Sequence, residues 1–116
     1  MALMSGEVIL EGILLKKNKW YMKQERRFKL YANGQIKYFK DAELKGTMEL
    51  TRDARCRKLN KYEIEITLPK RDKNYTLVQH DLTKCPQKSD KFSCLLDDWV
   101  DCINSVCTFL KKDVKI

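Results

Sequence analysis

The sequence predicts a mainly β domain with one C-terminal α-helix: a seven-stranded, partly open barrel or sandwich capped by the helix. Three observations carry this expectation. Short runs rich in apolar and β-branched residues recur through the first three-quarters of the chain, with turn residues between them. Near residue 96 the apolar spacing changes to alternating steps of three and four. The chain has 116 residues, 43% of them hydrophobic, with 4 Gly and 2 Pro. That is enough for a single unaided core, and one domain over 1–116 is expected.

The first expected strand, 8–16, is an apolar run containing Gly12 and ending at Lys16. The second, 26–31, alternates Phe28 and Leu30 with Arg27 and Lys29. The third, 36–40, is aromatic and β-branched. The turn between them fixes their register. A two-residue Asn33-Gly34 turn would pair Leu30 with Lys37 and set a lysine on the apolar face. A three-residue loop with Gly34 left-handed pairs Leu30 with Ile36 and Phe28 with Tyr38, keeping the apolar residues together. The second register is the expected one.

Further strands are expected at 46–50, 54–59, 62–68 and 74–79, with 69–73 as a polar hairpin loop. Residues 81–92 carry no strong signal. Leu96, Trp99, Ile103, Val106 and Leu110 then form a helical stripe that Val100 and Cys107 widen. Asp97, Asp98 and Asp101 lie early, and Lys111 and Lys112 late, in keeping with the helix dipole. A helix over 93–111 follows, with Ser93 as its N-cap and Trp99 as a core anchor.

Composition narrows the function classes. The five cysteines, Cys56, Cys85, Cys94, Cys102 and Cys107, form no Cys-x-x-Cys pair, and a single His cannot complete a zinc set. Free, reduced thiols and a cytoplasmic setting are expected. No run of about 18 apolar residues could span a membrane. The formal net charge is +8. Residues 1–58 hold 14 Lys and Arg against 7 Asp and Glu, whereas 59–116 hold 10 against 9. Seven basic residues and one acid, Glu25, fall within 16–29. Such a cluster suits an anionic partner.

The ordered set of stretches resembles the pleckstrin homology (PH) domain. Glu11-Gly12-Ile13-Leu14-Leu15-Lys16 is similar to that family's first strand, and Arg26-Arg27-Phe28-Lys29-Leu30 to its second. Ile36-Lys37-Tyr38-Phe39 is similar to the third, and Leu44-Lys45-Gly46 to the start of the fourth. Asp98-Trp99-Val100-Asp101-Cys102-Ile103 resembles the helix signature. The likeness covers residues 8–111 and is nearest to the modules of protein kinase B and phosphoinositide-dependent kinases. It implies a headgroup-binding set of Lys16, Arg26, Tyr38 and Lys45. The sequence departs from the family at Gln24, where a Lys or Arg is usual. This argues against a tight 3-phosphate-specific site and brings phosphatidic acid into consideration.

Strand geometry leads to the same place without the family. Lys16 shares its face with Leu14, Arg26 with Phe28 and Tyr38 with Ile36, all at one end of the barrel. Inward cations there need an anion or an exit to water. Arg27 has outward parity. Lys17, Lys19, Lys23, Lys40 and Arg71 are rim candidates, and the resemblance to the family, through its arrangement of loops, implies that Lys70, Arg71 and Lys73 lie near the same mouth. The 16–25 loop carries Trp20, Tyr21 and Met22 between Lys19 and Lys23, a composition suited to the headgroup level of a bilayer.

The expected function is therefore non-catalytic membrane targeting. The expected ligands are anionic phospholipids, most of all phosphoinositides, or soluble inositol phosphates, with peripheral recruitment from the cytoplasm. The alternative is a protein-interaction module using a sheet edge or the helix-flanked groove. His80 is expected to be structural. Asp97 and Asp98, adjacent on a helix, make a poor carboxylate dyad. No P-loop, Rossmann glycine pattern or nucleophile elbow occurs, and neither an enzyme nor a cofactor is expected. A nucleic-acid partner is not expected, because the aromatics read as core or loop tip rather than a stacking face.

Overall fold

The computed structural model describes residues 6–85 and 91–114. Its seven strands are β1 (Val8–Lys17), β2 (Lys23–Tyr31), β3 (Gln35–Lys40), β4 (Glu43–Glu49), β5 (Arg55–Asn60), β6 (Glu63–Leu68) and β7 (Lys73–Val78), followed by the helix α1 (Leu96–Val114). They form one antiparallel sheet in the order β4-β3-β2-β1-β7-β6-β5. Seven strands and one C-terminal helix were expected, and both are present.

Alternation explains the strands. In β6, Ile64, Ile66 and Leu68 are buried while Glu63, Glu65 and Thr67 face the other way. Each such buried side chain contributes roughly 1.5–3 kcal/mol of apolar transfer. The β2–β3 register pairs Leu30 with Ile36 and Phe28 with Tyr38, and Gly34 has φ +97°. The three-residue loop is thus correct, and its left-handed position is one that glycine fills without strain.

Several boundaries differ from expectation: β4 begins at Glu43 rather than 46, the helix ends at Val114 rather than 111, and two further shifts have a visible cause. β2 begins at Lys23 rather than 26, because Lys16 and Lys17 extend the ladder to Gln24 and Lys23. The helix begins at Leu96 rather than 93, since residues 91–93 are held against β1. There Glu11 N donates to Lys91 O, Ser93 N donates to Glu11 O, and Glu11 and Phe92 form a parallel bridge. Ser93 therefore does not cap the first turn directly. Its hydroxyl accepts from Leu95 N at 3.1 Å and donates to Asp98 Oδ2 at 2.6 Å.

This docking depends on Gly12. A Cβ there would run into Ser93 O and sit 3.0 Å from Trp99 Nε1. With no side chain in the way, Trp99 is completely buried and its indole N–H donates to Ser93 O at 2.9 Å. Leu96, Ile103, Val106 and Cys107 bury the rest of the stripe. The exposed edge of β5 is held by Asn104, whose carboxamide accepts from Cys56 N at 2.9 Å and donates to Cys56 O at 2.8 Å. Lys58 also pairs with Asp97 at 2.9 Å.

The cysteine expectation needs correction. Cys85 and Cys94 form a disulfide, leaving Cys56, Cys102 and Cys107 free. The bonded pair is nine residues apart in sequence with Cα atoms at 6.6 Å. Its partners meet because the 3-10 turn Leu82–Lys84 and the anchored 91–93 segment are brought together by the fold, which no local spacing encodes. Burial, with the Cys107 thiol nearby, pushes the Cys56 thiol up to about 12.

Candidate anion-binding site at the barrel mouth

A line of aromatic contacts leads from the core to the open end. Trp99 meets Phe28 edge-on, with centroids 6.2 Å apart, and Phe28 meets Tyr38 at 5.5 Å. Lys16 Nζ then lies 5.3 Å from the Tyr38 ring centroid. It also lies 5.6 Å from that of Tyr75, which itself carries Lys73 Nζ at 5.9 Å. One ammonium group is thus placed over two phenol rings at the mouth, an arrangement that attracts cations.

Strand pairing accounts for the convergence. Lys16 is opposite Gln24 on one side and Leu77 on the other. Counting back from the buried Leu77 by twos gives Tyr75 and Lys73, so β7 delivers both to the inward face. Arg26, opposite Leu14, arrives from β2, and Tyr38 arrives from β3. Tyr38 has room because Gly46 is its cross-strand partner, and a Cβ at Gly46 would collide with the phenol oxygen and ring.

The electrostatics are one-sided. The Lys16 pKa is lowered by burial first, then by the Arg26 and Lys73 charges. Among the described residues, none of Lys16, Arg26 and Lys73 forms an ion pair with a carboxylate. The Arg26 guanidinium donates to the neighbouring Glu25 carbonyl at 2.7 Å. Burial, followed by Tyr75, raises the Tyr38 pKa despite Arg26, so its hydroxyl keeps its proton and remains a donor. A cleft of about 410 Å³ opens between the β1–β2 loop and the start of β7, lined in part by Lys16, Asn18, Lys19, Tyr21, Asp72, Lys73 and Tyr75, with Arg26 and Tyr38 outside its lining.

The other expected residues divide. Lys45 occupies the irregularity between the Tyr38–Gly46 and Phe39–Leu44 pairs and reaches Glu43 at 3.5 Å. Lys17 lines the cleft but is bound to Glu63 at 2.8 Å. Lys23 is opposite Lys17, on the outward parity, so it does not replace the missing cation at Gln24. Arg27 is outward as expected, with Nε at 2.6 Å from Glu11 Oε2 and its guanidinium over Phe92 at 5.7 Å. Lys40 lines a separate cavity of about 370 Å³ with Glu25, Arg26, Arg27, Phe39 and Asp41, so Arg26 borders this cavity as well as acting on Lys16. Arg71 is exposed in the 3-10 turn Pro69–Arg71. His80 bonds Glu25 at 3.0 Å and accepts from Asp81 N.

The chain connecting β1 and β2 is shorter than expected, 18–22 rather than 16–25. Even so, Trp20, Tyr21 and Met22 are 69%, 80% and 64% exposed. Lys19 Nζ lies 4.6 Å from the Trp20 ring centroid. Among the described residues, no helix is long and apolar enough to cross a membrane.

Comparison with known proteins decides the fold. The C-terminal PH domain of pleckstrin matches with a TM-score of 0.67 and 17% identity, over 88% of this chain and 98% of that one. This chain has the PH fold. The same pleckstrin domain in complex with D-myo-Ins(1,2,3,5,6)P5 gives a TM-score of 0.70 and 18% identity, over 89% and 98% of the two chains. The DH/PH domains of p115-RhoGEF, with an N-terminally truncated linker, give 0.65 and 14% identity, covering 97% of this chain and 31% of that one. No protein-family model and no curated protein matches the sequence.

Proposed function

We propose that this PH-fold domain binds the phosphorylated headgroup of an anionic lipid, most of all a phosphoinositide, at the barrel mouth. The observation that carries this reading is Lys16 over the Tyr38 and Tyr75 rings with the Arg26 and Lys73 charges acting on it, none of the three cations being ion-paired to a carboxylate among the described residues. A polyphosphate would supply the missing negative charge. Lys16 and Lys73 act as compact point charges, Arg26 as a planar fork, and Tyr38 and Tyr75 as hydroxyl donors. Lys45 and Lys19 complete the rim once Lys45 leaves Glu43. The inositol pentakisphosphate in the similar pleckstrin structure supports the same ligand class. The finer likeness to the modules of protein kinase B rests on Lys16, Arg26, Tyr38 and Lys45 alone.

The basic half of the chain is drawn to an anionic leaflet, each lysine near the surface adding roughly 1 kcal/mol. Trp20, Tyr21 and Met22 then reach the headgroup level, giving reversible, peripheral attachment from the cytoplasmic side. The helix-flanked groove that the protein-interaction alternative would use is occupied by Asn104 along β5.

The test is co-sedimentation with vesicles of equal net charge and different headgroups, comparing wild type with Lys16→Ala/Arg26→Ala. Preference for one headgroup, lost in the double variant, is the expected result. Binding that follows surface charge alone, or survives in the variant, contradicts the pocket.

A further inference from the structure

The loop that carries Trp20, Tyr21 and Met22 is organised by a single residue. Asn18 Oδ1 accepts from Trp20 N at 2.9 Å and from Met22 N at 3.0 Å. The Asn18 backbone completes the set, with Tyr21 N donating to Asn18 O at 2.9 Å and Asn18 N donating to Met22 O at 3.0 Å. The amide N–H groups of all three exposed residues therefore end on Asn18. Tyr21 is held at φ +64°, a left-handed conformation unusual for an aromatic residue.

The bond to the amide two residues on recurs at Asn33, Asn60 and Asp81, but at Asn18 the same oxygen takes a second amide four residues on. In water the three amides would be hydrated without help. In a bilayer interface, backbone groups that lose water must be satisfied within the protein. The three side chains that face solvent belong to the three residues whose amides are already bonded.

We propose that Asn18 is the positioning residue for membrane insertion. It shapes the 18–22 turn into a wedge and removes the desolvation cost of its amides before it meets lipid. The proposal rests on the membrane reading above and adds to headgroup capture by the Lys16 cluster, whose cleft Asn18 and Tyr21 also line, a depth of insertion set by Asn18.

The experiment uses phosphatidylcholine vesicles containing phosphatidylinositol bisphosphate and a brominated phosphatidylcholine, with soluble inositol hexakisphosphate as the membrane-free probe. Tryptophan quenching by the bromines reads Trp20, because Trp99 is completely buried. Asn18→Ala is expected to lose most of this quenching per bound molecule and to bind vesicles ~10-fold more weakly. Its affinity for inositol hexakisphosphate should fall by clearly less than its affinity for vesicles, and its unfolding midpoint should be close to wild type. Asn18→Asp keeps the acceptor oxygen and should restore quenching at saturating vesicle. Equal quenching in wild type and Asn18→Ala overturns the role of Asn18 while leaving the headgroup reading intact. An equal fold-loss of soluble and vesicle binding in Asn18→Ala, with quenching per bound molecule unchanged, overturns it too, by confining the role of Asn18 to the cleft. Failure of wild type to bind either probe overturns both readings.

Discussion

The two sides of the barrel treat their polar groups differently. On the helix side, Asn104 makes both hydrogen bonds to the Cys56 backbone, the Trp99 indole N–H reaches Ser93 O, and the Ser93 hydroxyl reaches Asp98. At the open end, the Arg26 and Lys73 charges act on Lys16, which lies over two phenol rings. The first region is complete as it stands. The second, on the proposed function, is where an anion would add stability. The line of rings from Trp99 through Phe28 to Tyr38 joins them, so the floor of the site is also the wall of the core.

The sharpest way to break this contrast is at the completed side. Gly12→Ala should cost about 3 kcal/mol or more, since the new methyl meets a backbone carbonyl with no freedom to retreat. Denaturant unfolding measures it, and a loss below 1 kcal/mol would show that the helix junction can shift. Asn104→Ala should cost about 1–3 kcal/mol, because it leaves the Cys56 N–H and C=O unpaired at an edge that the helix covers. The same unfolding assay applies.

At the open end the expected effects are on binding rather than folding. Gly46→Ala adds no charge but pushes against Tyr38. It should weaken inositol phosphate binding ~10-fold by calorimetry, about 1.4 kcal/mol, if the phenol is a donor to the ligand. Unchanged affinity would remove Tyr38 from the site. The dependence on pH is smaller and has a definite sign. Bound anion favours charged Lys16, so affinity should fall as pH rises through the Lys16 pKa. Because that pKa is lowered in the folded protein, the fall should begin below the ordinary lysine range of about 10.4. Stability of the ligand-free domain should rise across the same interval, since the unfolded chain there binds more protons.

How much was legible in the sequence follows from which signals are local. Alternation placed Phe28, Leu30, Ile36 and Tyr38 on one face, and the Asn33-Gly34 turn fixed their register. The 3-4 spacing placed Trp99 in the core. Lys16, Arg26 and Tyr38 met at the mouth because their parity and their strand ends are both readable from short segments. Lys73 was noted only as near the mouth, and Tyr75 was missed. Their inward parity was available from Leu77, but their nearness to Lys16 needs the β1–β7 pairing, a contact about sixty residues apart in sequence. The Asn104–Cys56 clasp was hidden for the same reason, whereas the nine-residue spacing of Cys85 and Cys94 is local but marks no motif. Asn18 carried a faint local signal, since a short Asx side chain before a turn often bonds the backbone two residues on.

The most direct measurement is the unfolding midpoint of wild type and Lys16→Met, each with and without a soluble inositol pentakisphosphate. Ligand at a hundred times its Kd should stabilise wild type by about 2.7 kcal/mol. Lys16→Met, freed of a desolvated charge beside Arg26 and Lys73, should unfold at or above the ligand-free wild-type midpoint and lose most of the ligand's effect. An equal ligand shift in both proteins, or a Lys16→Met domain that is clearly less stable than wild type, would contradict the claim that the open end is held in readiness for an anion.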